Sequence, residues 1–535
     1  MRKYLIIFIG TLSLLFMQCS EDRLTVDYDM EPDREAALSN PSDLINLLKG
    51  GYSSLNYGLT NFRWVHINGW ADQTSVTNAY AAFWDYCIEP RLRVNNTTTW
   101  DDRANVENFW SGFNSAISSA NEIIGYVEKD GNLIVDDADV DVTDKSLAGA
   151  YFARGVALGY LGLMYDQGFR VTPESDLTAL ELEPYAKLCG YAVDDLMKCI
   201  SIIEGSSADF QFDYFPGSES KEYWVQLAYS YAAKIMTHTA RNTTEAGAQD
   251  WAKILGYAEN GITNDWSPVS TSDYFNNYHG WVSYPLGSGA AYLQVDVKVQ
   301  HLMSKRGGDG SYPPEYPSDP NVNLDPVTTT DSRIASDFWY TDQFGYLRES
   351  RGRYLFSNYG WKRYQYDYPN SNVGNPMHIL DVAELDYIKA EALVMLNRND
   401  EAMAVLNASP YVTRGSYAAI TDNTTANLMD IIAYEYSIEL FGIPGVNWFA
   451  MRRWDMLKVG TAMQLPLPAS ELEILLHELY SFGGAAFADG IGTSKGENAW
   501  GKIHGTKSTY VPFKTSYIES PSFIINNSEE RGTEY

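Results

Sequence analysis

The chain has 535 residues, of which 45% are apolar and 20% are charged, and its formal net charge is −30 at pH 7. These proportions are typical of a globular protein with a large core, and they exclude the disordered and fibrous classes. The acidic field excludes nucleic acid and bulk anionic lipid as partners, whereas neutral and cationic ligands remain compatible with it.

Residues 1–18 have the pattern of a targeting segment. Arg2 and Lys3 precede an apolar run that is too short to cross a bilayer as a helix, and Cys19 stands directly after the segment. This order resembles a bacterial lipoprotein signal, in which Cys19 becomes the acylated mature N-terminus. The alternative is an ordinary signal peptide followed by an incidental cysteine. No later run reaches about 18 consecutive apolar residues, so we expect membrane attachment to be through lipid alone.

Apolar residues recur at steps of three and four along much of the remaining chain, which predicts amphipathic helices. The most regular stripe runs from Val106 to Val127, after Asp101 and Asp102, either of which can cap a helix. Besides this stripe, the pattern predicts helices over Pro41–Tyr57, Leu147–Tyr165, Tyr185–Glu204, Lys221–Arg241, Ala248–Ile262, Ala426–Phe441 and Trp448–Leu457.

The stretch Asp381–Asn407 predicts two helices joined by a short turn. An apolar stripe runs from Leu385 to Met395, the polar run Asn397–Asp400 interrupts it, and a second stripe begins at Ala402. Helices joined by so short a turn lie antiparallel, and neither buries its apolar face without further helices alongside. The chain is therefore predicted to be an all-α, helix-pair scaffold similar to a TPR array.

Two regions, about 62–100 and 264–375, lose helical periodicity and are rich in aromatic residues, which predicts long irregular insertions. An exposed indole or phenol ring can cover the apolar face of a sugar, while polar side chains nearby bond its hydroxyl groups. The alternative is that most of these rings are core. The candidate ligand-binding residues are Trp70, Asp72, Tyr80, Trp84 and Trp100 in the first region, and Trp281, Tyr284, Trp339, Tyr359, Trp361 and Arg363 in the second.

Common signatures of catalysis and metal binding are missing from the sequence. There is no G-x-S-x-G elbow, no P-loop, no dinucleotide-binding glycine pattern and no H-E-x-x-H motif. The three cysteines beyond Cys19 form no C-x-x-C pair, and their odd number disfavours a disulfide framework. We therefore expect no catalytic residues, no cofactor and no metal.

Several stretches resemble the SusD/RagB family of nutrient-binding outer-membrane lipoproteins. The clearest is AEALVMLN followed by a short turn and AVLN within Asp381–Asn407, which is similar to the C-terminal signature of the family. Trp110–Ile124, Phe152–Phe169 and Glu435–Leu457 resemble other helices of the family, and LPLP at Leu465–Pro468 resembles its L-P-I-P motif. The resemblance runs from about Cys19 to Leu472, with its blocks in the family's order.

The resemblance implies a signal peptide over 1–18 and a single SusD-like helical domain over 19–535, held at the outer membrane by acyl chains such as palmitate on Cys19. It further implies non-catalytic capture of oligosaccharide, or of peptide in some relatives, for a SusC-like TonB-dependent transporter. Ser20, Glu21 and Asp22 resemble the acidic tag that directs such lipoproteins to the cell surface. The alternatives from other classes are a secreted helical glycoside hydrolase or esterase, and a structural assembly subunit.

Overall fold

The computed structural model describes residues 41–77, 80–282, 293–314, 323–342, 357–364 and 373–500. Helices dominate this part of the chain, and the strands are only two or three residues long. The targeting segment, Cys19 and Tyr284 lie outside the described residues, so the expectations for them stay predictions.

Helices form at each predicted stretch, with ends that differ from the prediction by a few residues. They are α1 Pro41–Thr60, α2 Trp64–Trp70, α3 Phe83–Cys87, α4 Ala104–Ile124, α5 Thr143–Met164, α6 Tyr185–Gly205, α7 Lys221–Thr239, α8 Thr243–Gly247, α9 Trp251–Glu259, α10 Asn277–Val282, α11 Val297–Gly307, α12 Arg333–Ser336, α13 Val382–Met395, α14 Asn399–Ala408, α15 Pro410–Thr413, α16 Thr425–Ile438, α17 Val446–Arg453 and α18 Ala469–Ile474.

The long helices pack mainly against their neighbours in sequence, as a helix-pair scaffold requires. Helix α4 packs on α1 and α5, α5 packs on α6, α6 packs on α7, and α13 packs on α14. Glycines in α5 permit the closest approaches: a Cβ at Gly159 would lie 2.3 Å from Cδ1 of Ile235, and one at Gly162 would lie 2.7 Å from Sγ of Cys189. The predicted helix-pair architecture is thus confirmed.

Helix α5 is the centre of the core. It is long and apolar enough to cross a membrane, yet its most apolar stretch of 18 residues is entirely buried inside the protein. Burial on all sides explains why its apolar residues do not form a single stripe. It is a core helix surrounded by α4, α6 and α7.

Helix α13 also carries charged side chains into the core, and each has a partner on another helix. Lys234 Nζ donates to Glu384 Oε2 at 2.9 Å, and Arg453 forms an ion pair with Glu391. The indole Nε1 of Trp454 donates to Glu391 Oε1 at 2.8 Å. These contacts join the organising helix pair to α7 and to the end of α17.

Three short antiparallel pairs of strands lie among the insertions. Strand β1 (Thr74–Ser75) pairs with β4 (Gln294–Val295), β2 (Gln167–Phe169) with β3 (Leu182–Pro184), and β5 (Phe338–Tyr340) with β6 (Tyr359–Trp361). The β1–β4 ladder matters most for function, because it joins the two aromatic regions that the sequence separates.

The aromatic regions are more helical than the sequence predicted, since α2, α3, α10 and α11 lie in them. All seven residues of α2 are buried, so no polar face alternates with an apolar one. In α11 the polar residues Lys298 and Gln300 are themselves buried, which hides the usual pattern. Hydrophobic periodicity identifies helices that have one solvent-exposed face, and α2 and α11 have no such face.

Candidate ligand-binding face

Two of the candidate tryptophans, Trp70 and Trp361, are core residues. Each is only 2% exposed. Trp70 lies between Tyr86 and Trp448, with ring centroids 4.9 and 5.7 Å away, and the ring of Trp361 fills the space beside Gly442, where a Cβ would lie 2.0 Å from it. Their large apolar area favours the interior, and neither ring face is open to a sugar.

Asp72 and Tyr359 are also buried, and their polar groups have partners within the protein. The carboxylate of Asp72 forms an ion pair with Arg91 and accepts a hydrogen bond of 2.7 Å from the indole Nε1 of Trp500. The hydroxyl oxygen of Tyr359 accepts a hydrogen bond of 2.8 Å from the backbone N–H of Val327. Both residues, like Trp70 and Trp361, are therefore part of the core and do not line a ligand-binding surface.

Two further candidates of the second region, Arg363 and Trp339, are half-buried. Arg363 is engaged with Glu439, since its Nη1 lies 2.9 Å from the carboxylate and donates to the backbone carbonyl at 2.7 Å. The Trp339 ring covers Gly360 on the paired strand, where a Cβ would lie 2.2 Å from the indole. Neither residue joins an exposed aromatic group among the described residues.

In the first region, Trp84 and Trp100 are half-buried, and Trp100 packs against the core. Tyr80 is different, because 54% of its surface is exposed. Its ring stacks on that of Trp281, with centroids 5.3 Å apart and planes inclined by 20°. The structure thus brings together one candidate from each aromatic region.

Phe62 completes this group, which we call the aromatic platform: Phe62, Tyr80 and Trp281. The Phe62 ring centroid lies 5.6 Å from that of Trp281. Buried Phe83 supports the platform, with its ring 5.7 Å from Trp281 and 5.9 Å from Tyr80. A half-exposed set of ring faces over a packed base is a surface on which sugar rings can stack.

The backbone that presents Tyr80 is strained and held from two sides. Ala81 and Ala82 have φ values of 49° and 59°, in the left-handed region that L-residues seldom adopt. The carbonyl of Ala81 accepts hydrogen bonds from His66 Nε2 at 2.6 Å and from Asn105 Nδ2 at 3.1 Å. Such strain persists only where the surroundings enforce it, and it is frequent at functional sites.

The imidazole of His66 stays neutral, because burial lowers its pKa to about 3. Both ring nitrogens face backbone carbonyls, because Nε2 lies 2.6 Å from that of Ala81 and Nδ1 lies 3.1 Å from that of Arg63. A neutral ring has one N–H, and the shorter contact favours that hydrogen on Nε2. His66 therefore supports the platform without carrying a charge at physiological pH.

Helix α10 presents Trp281 and is anchored by two residues that precede it. His279 Nε2 lies 2.9 Å from the carbonyl of Gly442, and Tyr278 accepts a hydrogen bond of 2.6 Å from Asn68 on α2. The bond from Asn68 fixes α10 against α2, the helix that follows Phe62 and Arg63, and the contact with Gly442 fixes it against the turn after α16. The geometry of the platform is thus built into the fold.

Arg63 lies at the edge of the platform, with its guanidinium carbon 4.1 Å from the centroid of the Phe62 ring. Its Nε and Nη1 atoms are buried and have no hydrogen-bond partner. Asp102 is near enough to act on its charge, but burial has the larger effect and lowers the pKa of Arg63. The guanidinium is therefore half-buried and lacks an ion pair among the described residues.

Phe62 and Arg63 were absent from the candidates chosen on the sequence, although the first aromatic region begins at Phe62. The sequence-based candidates are mostly tryptophan and tyrosine, and the contact between the turn after α1 and helix α10 is a tertiary contact that the sequence does not reveal. A pairing of aromatic and cationic side chains at a helix end was the available signal.

No family model matches the sequence, and no curated protein matches it. Solved structures do resemble the fold. A SusD homolog from Bacteroides thetaiotaomicron VPI-5482 has a TM-score of 0.56 at 13% identity, covering 81% of this chain and 96% of that chain. A SusD-like protein from Bacteroides fragilis NCTC 9343 has a TM-score of 0.57 at 12% identity, covering 79% and 88%. A SusD-like carbohydrate binding protein from Bacteroides vulgatus ATCC 8482 has a TM-score of 0.52 at 15% identity, covering 77% and 83%.

Proposed function

We propose that this chain, which has the SusD-like fold, is a SusD/RagB-family protein that binds oligosaccharide on its aromatic platform. The observation that carries the proposal is the exposed stack of Tyr80 on Trp281, with Phe62 beside it. The name of one neighbour of the same fold, a carbohydrate binding protein, supports the same class of ligand. Ring stacking would supply contact area, and polar groups at the edge would orient the sugar.

The platform is suited to binding and carries no general acid or base. Phe62 and Trp281 have no ionisable group, and the phenol of Tyr80 is the only hydroxyl on the platform. His66 beneath it is held neutral by burial. We therefore propose a non-catalytic role.

The arrangement nearest to a hydrolase relay lies elsewhere, around His378, and its geometry does not fit. Ser267 Oγ lies 3.1 Å from His378 Nδ1, and Asp381 Oδ1 lies 4.0 Å from the same nitrogen. A relay needs the nucleophile and the carboxylate on opposite ring nitrogens. Burial also lowers the pKa of His378 to about 4. This observation disfavours the hydrolase alternative at that position.

We further propose that the mature protein is anchored by acyl chains on Cys19 in the outer membrane, exposed at the cell surface, and delivers its ligand to a SusC-like TonB-dependent transporter. Cys19 after a short apolar run supports the anchor, and the SusD/RagB resemblance supports the transporter. Metabolic labelling with a palmitate analogue tests the anchor, since we expect label on the natural chain and none on Cys19→Ser.

The function is tested with mature protein that lacks the acylated cysteine, by affinity electrophoresis against neutral and acidic glycans. We expect retardation by at least one glycan and no release of reducing ends on prolonged incubation. Release of product would contradict the binding role and favour the hydrolase. Absence of binding at about millimolar sugar, where even a binding free energy of about −4 kcal/mol would be detected, would favour a purely structural subunit.

A further inference from the structure

We propose that the preferred oligosaccharide is acidic, and that Arg63 binds its carboxylate or sulfate while Trp281 and Tyr80 stack on the sugar rings. This inference rests on the proposed function, and it specifies the class of ligand. The structural basis is the contact between Arg63 and the platform together with the unpartnered nitrogens of its guanidinium.

Arg63 differs from the other enclosed arginines in having its hydrogen-bonding capacity unused. Nε and Nη1 are buried without partners, and none of the described residues forms an ion pair with the group. Elsewhere, enclosed guanidinium groups are neutralised by acids or bonded to backbone carbonyls. The acid-paired examples are Arg91 with Asp72, Arg154 with Asp195, Arg333 with Asp331, and Arg453 with Glu391.

The geometry of a guanidinium favours an anion that presents two oxygens side by side, as a carboxylate or a sulfate does. Two-point binding uses Nη2 together with either Nε or Nη1, and both of these neighbours are unpartnered in Arg63. The third nitrogen, Nη2, also has no partner among the described residues and is not buried, so an approaching oxygen can reach it first. Partial burial strengthens a charge-assisted bond, because less water competes for the same donor.

Arg63 and the ring faces are close enough to be used by one ligand. The guanidinium lies over Phe62, whose ring is the neighbour of Trp281 in the platform. An acidic sugar bound to Arg63 would therefore place the adjoining residue of its chain near Trp281. Phe62 holds the guanidinium in place by cation–π contact, and Nη2 is the nitrogen that stays accessible to a ligand.

The net charge of −30 does not forbid this contact. Charges farther away than about 8 Å are largely screened at physiological salt, whereas a contact within a half-buried site is not. The acid that acts on Arg63 is Asp102, and burial raises the pKa of its carboxyl group. The negative net charge thus predicts slow association with polyanions. The Arg63 guanidinium predicts that an acidic sugar, once in the site, is bound more tightly than a neutral one.

The test compares acidic oligosaccharides with uncharged counterparts of the same chain. The probes are uronic-acid oligosaccharides, their fully methyl-esterified forms and sulfated oligosaccharides, measured by calorimetry at constant ionic strength and pH 7. We expect the acid or the sulfate to bind about tenfold more tightly than the neutral form, as a charge-assisted bond requires. Preference for the uronate identifies the carboxylate as the bound group, and preference for the sulfated chain identifies the sulfate.

Arg63→Gln should remove this preference and bring the ratio of acid to ester affinity close to one, while Arg63→Lys should retain part of it. Arg103→Gln is the matched control, because it deletes the same charge from an exposed arginine that pairs with Glu107. Equal affinity of wild-type protein for acid and ester, or an unchanged ratio in Arg63→Gln, would overturn the proposal while leaving glycan binding intact. Failure to bind every glycan, neutral or acidic, would instead overturn the proposed function.

Discussion

Trp281 stacks on Tyr80 across two insertions that lie far apart in sequence, with ring centroids 5.3 Å apart. The antiparallel pairing of Thr74 with Val295 joins the same two insertions. The hydrogen bond from Asn68 to Tyr278 adds a second link. The exposed ring faces are thus positioned by rigid elements, which is how a binding surface avoids an ordering cost when ligand arrives.

We predict that Trp281→Ala lowers the affinity for the preferred glycan about tenfold or more, because it removes the central ring of the platform. Calorimetric titration measures the change. Phe487→Ala is the control, since Phe487 is an exposed aromatic residue outside the platform. If both variants bind as the natural chain does, the ligand lies on another surface.

The scaffold was predictable from the sequence because most of its long helices have one solvent-exposed face, and the site was not. Trp70, Trp281 and Trp361 stand in similar aromatic, polar surroundings in the sequence, yet only Trp281 joins an exposed stack. The difference arises from tertiary neighbours: Trp448 covers Trp70, whereas the ring stacked on Trp281 is that of Tyr80, which is itself exposed. The local sequence does not indicate which distant element will pack over an aromatic ring.

The packing of Trp361 predicts that Gly442→Ala is severely destabilising. A Cβ at Gly442 would lie 2.0 Å from the indole, and the residue has a φ of 89°. Gly374 has the same φ but open space around the Cβ position, so Gly374→Ala isolates the backbone cost. We expect a loss of about 1 kcal/mol for Gly374→Ala and about 1–3 kcal/mol more for Gly442→Ala in denaturant unfolding. Equal losses of unfolding free energy in the two variants would mean that the Trp361 side chain moves aside at no energetic cost.

The buried pair of Glu391 and Arg453 predicts a large effect from removing one partner. Glu391→Gln should lower the free energy of unfolding by about 3–5 kcal/mol, because it leaves a buried guanidinium without its carboxylate. Glu401→Gln is the control, since its ion pair with Arg398 is exposed, and it should change stability by less than about 1 kcal/mol. The double variant Glu391→Met with Arg453→Met should recover most of the loss. A small effect of Glu391→Gln alone would show that water reaches this pair.

The buried carboxyl group of Asp381 makes a contribution to the free energy of unfolding that we predict to fall as pH rises. Burial and, secondly, the charge of Asp265 raise the pKa of its carboxyl group to about 7, from an ordinary value of 3.8. The folded protein therefore holds the proton more tightly than the unfolded chain, so the stabilisation is complete below 3.8 and is lost as pH rises to about 7. Asp381→Asn should be flatter over this window and more stable than the natural chain above it.

The comparison is made by chemical denaturation at several pH values, with Asp386→Asn on the same helix as the control. His378, whose pKa is lowered to about 4 by burial, stays neutral through most of the window. An Asp381→Asn profile parallel to that of the natural chain would show that the carboxyl group is hydrated in the folded state.

The left-handed backbone beside Tyr80 predicts opposite effects on stability and affinity. At Ala81, where φ is 49°, substitution by glycine relieves a strain of about 1–2 kcal/mol but adds freedom to the unfolded chain. Ala81→Gly should therefore leave the unfolding free energy unchanged or raise it by about 1 kcal/mol. Ala404→Gly, in the middle of a regular helix, should lower it by about 1 kcal/mol.

Affinity should move the other way in Ala81→Gly, because the glycine widens the range of positions that Tyr80 adopts before ligand binds. A several-fold weaker affinity with unchanged stability would show that the strained alanine pre-organises the platform. Ala404→Gly, which is remote from the platform in sequence and lies on a different helix pair, should bind as the natural chain does. If Ala81→Gly destabilised the fold as much as Ala404→Gly, the left-handed turn would carry no strain, and the rigidity of Tyr80 would have to come from Phe83 and Trp281 alone.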